Sequence, residues 1–188
     1  MQKIIIITAP SGSGKSTLVK RLLEAVPELS FSISACTRSP RGSEKDGVEY
    51  YFLSVEAFKH HIQQDDFIEW EMVYEGKYYG TLKTEIDRII TEHQIPLVDI
   101  DVKGAIKVQK QFQNNALSIF IKAPTLEILK ERLLKRGTDS PESIQERLEK
   151  ASEELQFASQ FHTTLVNDDL ELASMELIQL VKSFLYVS

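Results

Sequence analysis

The chain has 188 residues, 42% of them hydrophobic, which suits one domain with a full-sized core. Lys and Arg number 22 against 28 Asp and Glu, and the resulting charge of −6 excludes a net electrostatic pull toward nucleic acid or an anionic membrane; any basic patch must be local. The single cysteine, Cys36, excludes an internal disulfide and a multi-cysteine zinc site, and His60, His61, His93 and His162 lack metal-site spacing, so a reducing cytosol is expected.

Ile4–Ile7 is a run of β-branched residues, the composition of a strand buried on both faces of a parallel sheet. Only two polar residues separate it from Met1, and every apolar run falls far short of the roughly 20 residues that a membrane span needs, so no secretory or membrane segment is expected. The stretch "TAPSGSGKSTL", Thr8–Leu18, then turns the chain into a helix with Leu18, Leu22, Leu23 and Val26 on one face, closed by Pro27. Ser30–Tyr79 reads as an inserted antiparallel subdomain, with short strands in "FSISACTR", "VEYYFLS" and "FIEWEMV" around a helix near Val55–Gln63. A helix near Leu82–His93 leads to the apolar run Ile95–Asp101, a helix near Lys103–Phe112, and a strand at Leu117–Ile121. The helical "TLEILKERLLKR" follows, overlapping a highly charged stretch, Leu133–Leu155, in which Gly137 and Pro141 break two helices. That composition suits a mobile, solvated lid. A strand at Thr163–Asn167 and a helix over Leu170–Leu185 end the series. Strands alternating with helices predict an α/β fold, with a mainly parallel sheet covered on both faces.

The residues Ala9, Pro10, Ser11, Gly12, Ser13, Gly14, Lys15, Ser16 and Thr17 fit the phosphate-loop pattern G-x-x-x-x-G-K-[ST], except that Ala9 holds the first glycine position. Gly12 and Gly14 let the backbone aim N–H groups inward, and the following helix adds the positive end of its dipole. Lys15 would reach terminal phosphates, the Ser16 hydroxyl would ligate Mg²⁺, and Thr17 adds a donor. A methyl at Ala9 is tolerable where φ is negative. The loop is shared by GTPases, ATPases and kinases, so by itself it leaves the phosphate acceptor open.

Arg38 and Arg41 lie three apart in a turn with Pro40 and Gly42, so both guanidinium groups could grip one phosphate monoester, with Tyr50 and Tyr79 as hydroxyl donors. A second anion site suggests a kinase whose acceptor is itself phosphorylated; an ordinary basic surface turn fits these residues as well. Asp99 and Asp101 alternate on one strand, which puts them on one face or edge. Asp99 suits water-mediated Mg²⁺ ligation or a structural role capping the loop. Arg132 and Arg136 share a helical face and Arg147 follows in the next helix, either closing over a phosphoryl group or forming solvated faces paired with Glu131 or Glu146.

Taken together, "PSGSGKSTL", "TRSPRGSEKDGVEYYF", "FIEWEMVYEGKYYGT", "VDIDVKGA", "ERLLKRGTDSPESIQERL" and "LVNDDL" resemble the guanylate kinase family in order over nearly the whole chain. The resemblance implies a P-loop kinase fold with a core at 1–33, 94–130 and 158–188, a GMP-binding insertion at 34–93 and a helical lid at 131–157. It implies transfer of phosphate from ATP to GMP, and to dGMP, with Mg²⁺. The GMP phosphate falls on Arg38, Arg41, Tyr50 and Tyr79, and guanine on Ser34, Glu69, Thr81 and Asp101. The lid arginines are Arg132, Arg136 and Arg147, and Asn167 is the adenine-side contact. Guanine offers N1–H and N2–H₂ donors to the pure-acceptor carboxylates of Glu69 and Asp101, whereas adenine would leave those acceptors unpaired. Departures from the family pattern are Ala9, Cys36-Thr37 where a threonine pair is usual, Ser43, and Phe161-His162. No N-K-x-D guanine-reading motif of GTPases occurs. A noncatalytic phosphopeptide-binding module is the rival of another class, although such modules carry eroded phosphate loops. Oligomeric state, monomer or homodimer, stays open.

Overall fold

The structure is a computed structural model that describes residues 2–137 and 140–186; the side chains of Tyr74 and Arg136 are also outside the described set. The isoleucine run forms the central strand, β1 (Ile4–Thr8), with every residue buried. Successive side chains of a strand point to opposite faces, so one run supplies two cores. Ile5 and Ile7 pack against α1 (Lys15–Ala25) and α7 (Leu170–Tyr186), whereas Ile4 and Ile6 pack against α3 (Lys83–Thr91) and α4 (Val102–Phe112). Each fully buried isoleucine contributes about 1.5–3 kcal/mol.

β1 lies in a five-stranded sheet with β2 (Leu29–Phe31), β7 (Ile95–Asp99), β8 (Ala116–Lys122) and β9 (Thr163–Val166), in the order β2-β7-β1-β8-β9. All its pairings are parallel, and Ile7 stands beside both Asp99 and Ile119. The phosphate loop and Asp99 therefore leave adjacent strands at the same carboxyl edge, where open α/β sheets bind ligands. The expected α/β architecture with helices on both faces is what the chain adopts.

A second sheet contains β3 (Ala35–Cys36), β4 (Tyr51–Phe52), β5 (Phe67–Tyr74) and β6 (Lys77–Leu82), in the order β4-β3-β6-β5. It is not purely antiparallel as expected, because β3 and β4 pair in parallel. Phe58 of α2 (Val55–Gln63) is fully buried against it, stacked on Phe67 with ring centroids 4.4 Å apart. Ser30 and Phe31, read as the start of the insertion, belong instead to β2 of the parallel sheet, since Leu29–Phe31 pair with Ile95–Leu97. Although α3 falls within 34–93, it packs Ile86 on the core around Ile4, Ile6 and Val98.

The charged stretch forms α5 (Leu126–Arg136) and α6 (Pro141–Leu155). Gly137 ends α5 in the left-handed region at φ 66°, and Pro141 is the first residue of α6, where its missing N–H is harmless and Ser140 caps the helix. The pair is not merely a solvated surface. Leu129, Leu133, Ile144 and Ala151 close with Ala123 over a small apolar core. Among the described residues no helix is long and apolar enough to cross a membrane.

Candidate active site

The carboxyl edge of the parallel sheet, the second sheet and the α5–α6 pair enclose a cleft of about 720 Å³. Its floor is the phosphate loop. Gly12 and Gly14 take φ of 93° and 86°, a conformation open to glycine at low cost. Among the described residues, the non-glycine positions with positive φ are Asp65, His93 and Gln113, so Ala9 keeps a negative φ and its methyl is accommodated against the core. A Cβ on Gly14 would land on the side-chain amide of Asn167, and one on Gly12 would meet Leu133 at 3.0 Å. The loop thus fits closely between β9's exit and α5.

Lys15 opens α1, and its ammonium contacts Asp99 Oδ1 at the end of β7. Burial draws the Lys15 pKa down to about 8, while the carboxylates of Glu154 and Asp101 pull it upward. Ser16 and Thr17 are exposed at the cleft.

Opposite the loop stands a carboxylate pair. Glu69 on β5 is 6% exposed and accepts a 2.8 Å hydrogen bond from Thr81 on β6. Burial raises its pKa to about 7, the Thr81 bond opposes this, and Asp101 adds to it. Asp101 does not share a strand with Asp99, contrary to the alternation expected. Strand β7 ends at Asp99, and Asp101 caps α4 by accepting from the Gly104 N–H at 2.7 Å, which satisfies an otherwise orphaned helix donor. Burial raises the Asp101 pKa, and the Gly104 bond opposes it. A Cβ on Gly104 would come within 2.5 Å of Glu69 Oε2, so the absent side chain keeps the pocket between the two carboxylates open.

Tyr50 and Tyr79 line the cleft with rings 6.2 Å apart, edge to face, and Ser34 lines it nearby. Arg38 lies behind them with its fork on Glu44, at 2.6 and 2.8 Å, and its guanidinium 4.7 Å from the Tyr50 ring. The Arg38 bond leads in holding the Glu44 carboxyl down at about 2. In this conformation Arg38 is paired with Glu44 and Arg41 is exposed. Thr81 is fully buried, turned to Glu69 rather than to the cleft.

Helices α5 and α6 supply Arg132 and Arg147 to the cleft. Arg132 Nη2 donates to the Asn167 carbonyl at 2.8 Å, and Arg147 Nη1 to Ser11 Oγ at 2.6 Å. Both thus reach across to the loop side. The Arg136 side chain lies outside the described residues. Asn167 is 4% exposed and donates to the Ser13 carbonyl at 2.8 Å, so in this conformation it braces the loop from behind. Lys150 and Glu154 also line the cleft and were missed in the sequence. Their spacing of three and seven from Arg147 marks one helical face and could have revealed them. Burial raises the Glu154 pKa to about 7, against the pull of Lys150.

A glycine loop that joins a buried parallel strand to a helix, facing a cleft wall with the Glu69 and Asp101 carboxylates and overhung by two helices that bring Arg132, Arg147 and Lys150 to the cleft, has the make-up of a P-loop nucleotide kinase. The chain belongs to the guanylate kinase family: the guanylate kinase family model matches residues 1–184. It is 48% identical to the guanylate kinase of Bacteroides thetaiotaomicron over 183 residues, covering 97% of this chain and 90% of the relative. It is 48% identical to that of Porphyromonas gingivalis over 186 residues, covering 98% and 99%. The crystal structure of guanylate kinase from Anaplasma phagocytophilum superimposes with a TM-score of 0.77 at 26% identity, covering 97% of this chain and 85% of that one.

Proposed function

We propose that the chain transfers the terminal phosphoryl group of ATP to GMP, and to dGMP, forming ADP and GDP. Family membership supports this directly, and the observation in this molecule that supports it most is the pairing of buried Glu69 with half-buried Asp101, between which Gly104 leaves space that a side chain would fill. Two acceptor groups side by side match the adjacent N1–H and N2–H₂ of guanine and leave adenine without partners.

An oxygen of the GMP phosphate attacks the γ-phosphorus in line while the bond to the β–γ bridging oxygen breaks, its electron pair leaving with ADP. The GMP phosphate is already a competent nucleophile, so no general base is required. Gly12, Gly14 and the N-terminus of α1 orient the donor phosphates, and Lys15 follows the charge onto them, exchanging its Asp99 contact for phosphate oxygens. Ser34, Glu69 and Asp101 hold the base, while Arg38, Arg41, Tyr50 and Tyr79 hold the acceptor phosphate. Arg38 reaches that phosphate by loosening its pairing with Glu44. Arg132, Arg136 and Arg147 neutralise the charge spread over the transferring oxygens and exclude water as the lid closes. In this reading the second sheet is the acceptor-binding unit and α5–α6 the lid.

The hydroxyl of Ser16 and the carboxylate of Asp99 are hard oxygen donors of the kind Mg²⁺ prefers. The described residues contain no cluster of three or more His, Cys, Asp or Glu side chains able to hold a metal, which fits an ion carried mostly by substrate phosphates and water. Ser16 and Asp99 would hold such an ion, which would supply positive charge to offset that of the phosphates. A coupled assay with ATP and each of GMP, dGMP, AMP, UMP and CMP tests the proposal. Turnover with the guanine acceptors alone is expected; preference for another base, or no turnover, would overturn it.

A further inference from the structure

The second sheet hangs from the parallel core by two short crossings. At the first, Ser32 N–H still donates to Leu97 O of β7 at 2.9 Å, while the Ser34 carbonyl already accepts from Tyr51 N–H of β4 at 3.0 Å. Only Ile33 lies between the two sheets. At the second, β6 ends at Leu82 and α3 begins at Lys83.

Glu85 joins these two points. It sits in the first turn of α3 and is 3% exposed. One of its oxygens accepts from Ile33 N–H at 3.0 Å and the other from the Tyr51 hydroxyl at 3.0 Å. Arg88 adds bonds of 3.1 and 2.9 Å from its Nε and Nη2. Four donors fill the acceptor capacity of a carboxylate, and they offset the cost of burying it. Burial alone would raise the Glu85 pKa, yet Arg88, Ile33 and Tyr51 together hold it below the ordinary range. No atom of Glu85 lines the cleft, so this carboxylate serves something other than direct contact with the nucleotides.

We propose that Glu85 is a positioning residue, a pin between α3, the Ile33 crossing and β4 that fixes the angle at which Ser34 and Tyr50 face the phosphate loop. This rests on the reading of the second sheet as the acceptor-binding unit. Glu85→Gln in the full chain keeps the shape but replaces one acceptor oxygen by a donor. Its KM for GMP should rise about tenfold, the equivalent of about 1.4 kcal/mol. KM for ATP should stay within about twofold, because the loop is anchored in β1 and α1, and amide exchange at Ile33 should accelerate. Tyr51→Phe, which removes one bond and keeps the ring, should shift GMP in the same direction by less, and keeps the test open should Glu85→Gln not fold. Equal rises in both KM values, or a lowered melting temperature with both unchanged, would overturn the pin. Wild-type protein without GMP turnover would overturn the functional reading instead, and exchange at Ile33 would then test the pin alone.

Discussion

The Lys15 ammonium rests on Asp99 Oδ1, joining the residue that opens α1 to the residue that ends β7. The pairing follows from register, since Ile7 of β1 lies beside Asp99 in the parallel ladder and the loop leaves one residue later. Asp99 supplies the ammonium with a counter-charge. Replacing Lys15 by Met should cut turnover on the order of 10²–10³-fold, the scale of losing one charge-stabilising donor. GMP affinity, measured by calorimetry, should change little because most of the residues proposed to hold GMP lie on the second sheet and its loops, away from Lys15. Loss of GMP binding with normal turnover would contradict this division of labour.

Glu69 makes two pH predictions. Its folded pKa of about 7 lies above the ordinary 4.5, so the folded state binds the extra proton between those values. Stability is therefore full below about pH 4.5 and declines as pH rises to about 7, by an amount on the order of 3 kcal/mol. Glu69→Gln should melt above the wild type at pH 8 and close to it at pH 5. GMP affinity should run oppositely, rising from pH 6 to 8 as the acceptor carboxylate forms. A flat melting difference between pH 5 and 8 would disprove the assignment of this shift to Glu69.

Gly104→Ala should abolish GMP binding while leaving ATP binding intact. The added Cβ would lie 2.5 Å from Glu69 Oε2 and 3.2 Å from Asp101 Oδ1, two carboxylates that line the cleft. Gly104 also lies in α4, where alanine is favoured by about 1 kcal/mol, so the fold should survive. Circular dichroism and nucleotide titration would separate the two effects.

Arg147→Ala removes the 2.6 Å bond to Ser11 Oγ that ties α6 to the phosphate loop. If Arg147 closes over the transferring group, kcat should fall on the order of 10²-fold with KM for GMP nearly constant, since the loss is felt in the transition state. A rise in KM for GMP at constant kcat would mark it as a ground-state contact instead.

The strand, glycine loop and helix start were legible because their determinants are local. "IIII" followed by "PSGSGKS" specifies a buried strand, a left-handed glycine pair and a helix start within a few residues, and the conformational preference of glycine does not depend on the rest of the chain. The alternation of apolar runs likewise fixed the α/β class. Resemblance to a family named the acceptor residues, but not their partners. Nothing local pairs Arg38 with Glu44, turns Thr81 onto Glu69, or seats Asn167 under Ser13.

Asp99 and Asp101 show where periodicity failed. A strict alternation assumes that the strand continues, whereas here it ends at Asp99 and the next turn recruits Asp101 as a helix cap. Lys15 and Asp99 are 84 positions apart, Ser11 and Arg147 are 136, and Ile33 and Glu85 are 52. Their meetings depend on which strands lie adjacent, in what register, and on where each helix comes to rest. By itself the sequence determined the phosphate cradle and the layered class. Only the tertiary structure decided which charges face each other, because burial and distance set the strength of a charge pair, and both come from the packing of distant elements.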